Sequence, residues 1–107
     1  MIEKKYVFTL SETKTIERII EDDHVGINHM VLAKSEALPE HHSNSNVYLI
    51  IIRGQITLRL DDQTGHIYPA GSILSIPFKT KMNISNDSEE ILEFFVVKAP
   101  SPRNMPN

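Results

Sequence analysis

Residues 38–55, LPEHHSNSNVYLIIIRGQ, decide the fold of this chain. Two adjacent histidines, His41 and His42, precede a polar run and then the segment VYLIII, which is apolar on both faces. Such a strand is expected to be covered on both sides, by a core and by a second layer or subunit. Gly54 follows and predicts a bulge or sharp bend between two strands. Adjacent histidines before a strand of this kind suggest a metal site.

Further strands are predicted on both sides of this stretch. QITLRL alternates strictly, with Ile56, Leu58 and Leu60 on one face, and SILSI, KMNIS and EILEFFVVKA follow after turns rich in Gly, Pro, Asp and Asn. Before it, IERIIEDDHVGINHMVLA indicates two strands joined by an acidic turn, although TIERII also has helical spacing. Strands are preferred because the isoleucines are β-branched and every later segment is β. About eight short strands predict an antiparallel barrel or sandwich.

The composition excludes several classes of function. There are 11 Lys and Arg against 14 Asp and Glu, a net charge of −3, so a nucleic-acid partner is not expected. The absence of cysteine removes disulfides and thiolate metal sites. No apolar window approaches the length of a membrane span, and the N-terminus lacks the apolar region of a signal peptide. We therefore expect a cytoplasmic protein of one domain, residues 1–107, with an extended or frayed tail at 99–107.

Residues 38–86 resemble the two motifs of the cupin superfamily, which are small jelly-roll barrels. Gly54 anchors the first motif, at about residues 38–54. The second motif, at about residues 69–86, has its expected Pro-x-Gly, Pro and Asn at Pro69, Gly71, Pro77 and Asn86. The resemblance implies an all-β antiparallel double-stranded β-helix, or jelly-roll barrel.

The metal-ligand positions of the motifs mostly do not match. In a metal-binding cupin, two histidines, a glutamate and a later histidine converge on one ion, and these places hold His41, Ser43, Val47 and Met82 here. One imidazole with a hydroxyl and a thioether is a poor donor set for a first-row metal. No metal or other cofactor is therefore expected, and a divalent metal held by His41 with the non-motif residue His29 is the runner-up. The remaining histidines, His24, His42 and His66, are expected to be exposed.

Three functions stay open at this point. The preferred hypothesis is a small non-metal cupin with a binding or regulatory role, which takes a small, largely uncharged molecule in the barrel interior. The second is a metal-dependent enzyme of the dioxygenase, isomerase or decarboxylase kind. The third is a structural homodimer, since small cupins commonly dimerise through sheets like the one predicted here. No catalytic residue is assigned, and enzymatic activity is left open. The predicted pocket is lined by His41, Ser43, Val47, Leu49, Met82 and Ile84.

Overall fold

The computed structural model describes residues 1–106, which form nine strands and one short 3₁₀ helix. No helix among these residues is long and apolar enough to cross a membrane. The strands are β1 (Thr15–Glu21), β2 (Gly26–Leu32), β3 (His41–His42), β4 (Val47–Arg53), β5 (Gln55–Leu60), β6 (His66–Pro69), β7 (Ile73–Ile76), β8 (Lys81–Ser85) and β9 (Leu92–Lys98), and the 3₁₀ helix is Pro102–Asn104.

The strands form two antiparallel sheets that face each other. The larger sheet has five strands in the order β1-β2-β9-β4-β7, and the smaller has four in the order β3-β8-β5-β6. Consecutive strands such as β4 and β5 lie in different sheets, which is the arrangement of a double-stranded β-helix. The predicted fold is therefore confirmed, and the helical alternative for TIERII is wrong because these residues form β1.

The core lies between the inner faces of the two sheets. Strict alternation along each strand directs every second side chain inward, as in the QITLRL segment, where Ile56 and Leu58 are buried. Apolar area buried in this way stabilises a fold by about 25 cal/mol per Å². The buried core residues are Met30, Leu32, Val47, Leu49, Ile51, Ile56, Leu58, Ile76, Met82, Ile84, Leu92, Phe94 and Val96.

Gly54 makes the sharp bend that the sequence predicts between β4 and β5. Its φ of +76° lies in the left-handed region, and a Cβ at this position would collide with the backbone carbonyl oxygen of Ile91. The register of β4 against β9 shifts between Ile51 and Arg53, immediately before the bend. Only glycine fits here, because any side chain would meet backbone that cannot move away.

The outer face of β4 is uncovered in the single chain, so of the two covers expected for VYLIII only the core is present within residues 1–106. Val47, Leu49 and Ile51 are buried on the inner face, whereas Tyr48 is 41% exposed and Ile52 49% exposed on the outer face. Within residues 1–106, no second layer covers these two side chains. The apolar outer face is thus left open in the single chain.

The C-terminal tail is more ordered than the extended or frayed end that the sequence predicts. Ser101 is buried, and the 3₁₀ helix that follows packs against the turn between β1 and β2. There the Arg103 guanidinium donates a hydrogen bond to the carbonyl of Glu21, and the Asn104 amide donates one to the carbonyl of Asp23. Asn107, the last residue of the predicted tail, lies outside the described residues.

Candidate functional site

Four of the predicted pocket residues lie within the packed core. Val47 and Leu49 are fully buried, and Met82 and Ile84 are each 3% exposed. All four belong to one cluster of buried apolar side chains between the sheets. They face the barrel interior, as their strand parity predicts, and apolar neighbours surround them there. Their role in ligand binding stays a prediction.

Ser43, the fifth predicted residue, joins two turns of the barrel. Its hydroxyl donates a hydrogen bond to the Pro77 carbonyl at 2.6 Å and accepts one from the Thr80 amide at 2.8 Å. Its backbone amide donates to the Thr80 carbonyl, and its carbonyl accepts from the Lys79 amide. Because the hydroxyl proton is already donated, we assign Ser43 a structural role in holding the β3–β4 turn against the β7–β8 turn.

His41, the sixth predicted residue, is exposed at the edge of the smaller sheet. Its backbone pairs with Met82, and its Nδ1 lies 2.9 Å from the Pro39 carbonyl, a hydrogen bond in which the ring nitrogen donates. The four motif places therefore hold an exposed imidazole, an engaged hydroxyl, a valine and a buried thioether. This donor set does not fit a first-row metal ion. His24, His42 and His66 are exposed, as predicted.

His29 does not face the barrel interior, so the structure does not bring it together with His41 as the runner-up metal site requires. The strand parity of β2 sends Met30 into the core and His29 to the outer face of the larger sheet. There the ring is fully buried between two carboxylates, with Nδ1 2.7 Å from an oxygen of Glu17 and Nε2 2.7 Å from an oxygen of Glu93. Both ring nitrogens are therefore engaged by carboxylate oxygens, which leaves neither free for a metal ion.

The segment before β1 covers this histidine. The Phe8 ring lies 4.8 Å from the His29 ring and 4.9 Å from the Phe95 ring, measured between centroids. The backbone amide and hydroxyl of Thr9 both donate to the Glu17 carboxylate at 2.8 Å. We call residues 8–12 the strap, and the carboxylate–histidine–carboxylate group beneath it the clasp.

Three contacts of Arg53 link the strap to the clasp. Arg53 at the end of β4 donates through Nη1 to the Glu12 carboxylate at 3.0 Å and through Nη2 to the Ser11 carbonyl at 3.0 Å. Its Nε lies 3.3 Å from Glu93. The hydrogen bonds from Thr9, together with that from His29, lower the pKa of Glu17 below its ordinary value of 4.5. The carboxylates of Glu12, Glu17 and Glu93 therefore each have a partner among Arg53, His29 and Thr9.

A small polar cavity lies on the other face of the same three strands. Its volume is about 70 Å³, enough for a few water molecules or a small polar group. Asn28 and Lys98 share the inward parity of the core residues Met30 and Val96, but lie one step beyond them toward the strand ends. The lining residues are Arg18, Ile20, Glu21, Gly26, Asn28, Asn44, Lys98 and Pro102.

The charges in this cavity are not balanced. Arg18 and Lys98 are cationic, and Glu21 is the one carboxylate among the lining residues. Glu21 pairs with Arg18 at 3.1 Å, whereas no carboxylate of the described chain lies within 4.0 Å of the Lys98 ammonium. Burial lowers the pKa of Lys98 below its usual 10.5, and the Arg18 charge lowers it further, with Glu21 acting in the opposite direction.

Neither the clasp nor the cavity is predicted from the sequence. A signal for the cavity was present, because Asn28 and Lys98 are polar residues at the inward parity of otherwise apolar strands. Placing them together requires the pairing of β2 with β9, where Gly26 faces Lys98 and Asn28 faces Val96. That register is not visible in the sequence of either strand.

Comparison with known proteins identifies the family. No family model matches the chain. An uncharacterized protein of Methanocaldococcus jannaschii is 51% identical over 106 residues, which cover 98% of this chain and 91% of that protein. The crystal structure of an RmlC-like cupin family protein with a double-stranded β-helix fold, from the same organism, is 52% identical with a TM-score of 0.94, covering 96% of this chain and 95% of that chain.

More distant structures share the fold alone. An RmlC-like cupin from Desulfovibrio desulfuricans has a TM-score of 0.76 at 18% identity, covering 92% of this chain and 98% of that chain. A cupin superfamily protein from Desulfitobacterium hafniense has a TM-score of 0.74 at 15% identity, covering 89% and 84%. The fold thus extends to sequences with little identity, while the similarity to the archaeal protein spans nearly the whole of both chains. The protein therefore belongs to the RmlC-like cupin family.

Proposed function

We propose that the protein is a metal-free cupin that binds a small molecule in the polar cavity between β1, β2, β9 and the C-terminal segment. One observation carries this proposal: polar groups of Arg18, Asn28, Asn44 and Lys98 surround a space beside the core. Small-molecule sites combine a concave space with a few convergent polar groups, and this cavity has both.

The poor fit of the motif positions to a metal supports the metal-free part of the proposal. His41 is exposed and distant in the fold from His29, whose two ring nitrogens both face carboxylates. Thermal unfolding with added Zn²⁺, Mn²⁺ or Fe²⁺ tests this directly. We expect no stabilisation that depends on His41, and a melting shift lost in His41→Ala would overturn the metal-free assignment.

A thermal-shift screen tests binding at the cavity. The panel contains amino acids, sugars, organic acids and phosphate esters, since a ligand at 100 times its Kd raises the unfolding free energy by about 2.7 kcal/mol. Asn28→Leu removes an amide from the cavity wall and should abolish the shift of any compound bound there. The matched control is Asn83→Leu, an asparagine on β8 in the smaller sheet, outside the cavity. Equal shifts in the two variants would contradict this location.

A second arm tests the barrel interior, where the sequence predicts a largely uncharged ligand. Met82→Leu nearly conserves side-chain volume, so the barrel should fold normally. A ligand seated among Val47, Leu49 and Met82 would lose affinity in this variant, because the shape of its pocket changes. Retained affinity in Met82→Leu together with a loss in Asn28→Leu assigns the ligand to the cavity.

We also propose that the chain forms a homodimer through the outer face of the larger sheet. Tyr48, Ile52 and Ile73 are 41–66% exposed on this face, and Ile50 faces Ile73 across the β4–β7 pair. A stable interface buries about 800 Å² on each partner, with an apolar centre. The test is the mass in solution by light scattering: Ile52→Glu should give monomers, and Ile67→Glu, which changes an exposed isoleucine of the smaller sheet, should not. A wild-type monomer at all concentrations would refute the dimer.

A further inference from the structure

We infer that the cavity binds an oxyanion, a carboxylate or phosphate group, through the Lys98 ammonium and the Arg18 guanidinium. This inference rests on the proposed function and specifies its ligand class. The larger sheet directs both cations to its inner face, one from β1 and one from β9. They meet in the same small cavity, where a single carboxylate, Glu21, opposes them.

Lys98 is the central group of this site. Its side chain is partly buried, and the described chain offers its ammonium no carboxylate within 4.0 Å. Partial burial removes part of the water that would solvate the charge of an ammonium group. An anion placed next to the ammonium would stabilise this charge more than the remaining water does. A bound oxyanion would supply the missing charge.

Arg18 stands at the rim of the cavity and is free to turn to a ligand. Its side chain is 72% exposed, and its pair with Glu21 is an exposed contact between residues three apart in sequence. Exposed pairs of this kind contribute about 0–1 kcal/mol, so exchanging Glu21 for a ligand carboxylate or phosphate costs little. A guanidinium binds either group through two parallel hydrogen bonds.

Two asparagines complete the donor set. Asn28 lies on β2, and Asn44 lies in the turn before β4; both line the cavity with Lys98. A side-chain amide donates two hydrogen bonds from its nitrogen, which an oxyanion can accept. The volume of about 70 Å³ admits the anionic group itself and leaves the remainder of a larger ligand at the cavity opening.

Titration with inorganic phosphate and with acetate tests the inference, with acetamide as a neutral molecule of the shape of acetate. Binding is followed by NMR at the backbone amides of Arg18, Asn28 and Lys98. We expect phosphate or acetate to bind and acetamide not to bind, and the responding anion tells a phosphate site from a carboxylate site. Lys98→Met keeps the length of the side chain and removes its charge, so it should lower affinity by about tenfold or more.

Three further variants control this result. Lys34→Met removes an exposed lysine outside the cavity and should leave affinity unchanged. Glu21→Gln removes the competing carboxylate and should tighten binding, while Arg18→Gln should weaken it. If Lys98→Met does not fold, Lys98→Gln replaces it, and the unfolding temperature of each variant is measured first.

The outcomes separate this inference from the proposed function. Neutral compounds that bind in a manner sensitive to Asn28→Leu, without anion binding, would overturn the oxyanion site and leave the ligand-binding function standing. Anion binding that is unchanged in both Lys98→Met and Arg18→Gln would also overturn the inference. A cavity that binds neither the anions nor any compound of the thermal-shift panel would overturn both.

Discussion

The clasp and the cavity lie on opposite faces of the same three strands, β1, β2 and β9, and they balance charge differently. In the clasp, the two ring nitrogens of His29 lie 2.7 Å from oxygens of Glu17 and Glu93, and the ring is fully buried beneath the strap. In the cavity, Lys98 has no carboxylate partner within the described residues and borders open space. Along these strands, residues that point to the outer face belong to the clasp, and residues that point to the inner face line the cavity.

The difference shows how charge balance separates a structural cluster from a binding site. A buried ring whose two nitrogens both contact carboxylates has its hydrogen-bonding groups satisfied, and it fixes the groups around it in one arrangement. A partly buried cation without a carboxylate retains capacity for an anion from solution. Substitutions in the clasp should therefore change the free energy of unfolding more than substitutions in the cavity.

Glu93→Gln should cause the largest loss of stability. The substitution keeps the shape of the side chain and removes the carboxylate that faces both His29 and Arg53, and removal of one partner from a buried charged pair costs about 3–5 kcal/mol. Denaturant unfolding monitored by circular dichroism measures the change. The matched control is Glu21→Gln at the exposed pair with Arg18, where we expect a change of about 1 kcal/mol or less. Equal losses in the two variants would break the distinction between the clasp and the cavity.

Phe8→Ala should release the strap without unfolding the barrel. Phe8 is 43% exposed and packs against the rings of His29 and Phe95, so its removal should cost about 1–2 kcal/mol. Hydrogen exchange of the Thr9 amide, which donates to Glu17, reports the opening. Leu10→Ala alters the same strap at a side chain that is 88% exposed, and exchange at Thr9 should stay as slow as in the wild type. Slow exchange in Phe8→Ala would show that this ring does not hold the strap.

The acid side of the stability curve should depend on Glu17. Its pKa in the folded protein lies below the ordinary 4.5, so its stabilising contribution is present above pH 4.5 and is lost as the pH falls through the folded value. Glu17→Gln should therefore be less stable than the wild type near neutral pH and show a shallower loss of stability below pH 4.5. Glu3→Gln, which alters an exposed carboxylate near the N-terminus, should follow the wild-type curve. If the unfolding free energies of the wild type and Glu17→Gln fell equally steeply below pH 4.5, the contacts assigned to Glu17 would be contradicted.

Lys98→Met should have the smallest effect on stability and the opposite sign. Burial lowers the pKa of Lys98, which means that folding disfavours its charged form and that the ammonium costs stability near neutral pH. In buffer without a binding anion, the variant should equal the wild type or exceed it by up to about 1 kcal/mol. A clear loss of stability in thermal unfolding would show that Lys98 has a structural partner, as His29 has.

The sequence predicts the strands and turns of the barrel better than it predicts the clasp and the cavity. Gly54 was predicted from the strand pattern around it, and Pro69 and Asn86 from the resemblance to the second cupin motif. Asn86, for example, is fully buried and donates to the carbonyls of Leu32 and Glu90, which fixes the turn between β8 and β9. Strand parity also placed Val47 and Met82 inward correctly.

The clasp and the cavity were beyond sequence reasoning because both depend on pairing between distant segments. His29 and Glu93 are 64 residues apart, and they meet because β2 and β9 are neighbours in the larger sheet. The closing ring of Phe8 comes from a segment that belongs to no strand. The wall of the cavity near Pro102 requires a tail that packs against the β1–β2 turn rather than extending into solvent.

A phosphate and acetate titration followed by NMR tests the central contrast most directly, because it reads both clusters in one experiment. We expect progressive chemical-shift changes at the backbone amides of Arg18, Asn28 and Lys98. The signals of the clasp residues His29 and Glu93 should not change. Lys98→Met should remove these shifts while its spectrum elsewhere stays that of the folded protein. Shifts at the clasp instead of the cavity, or no response to either anion, would contradict the assignment of Lys98 as the anion-binding group.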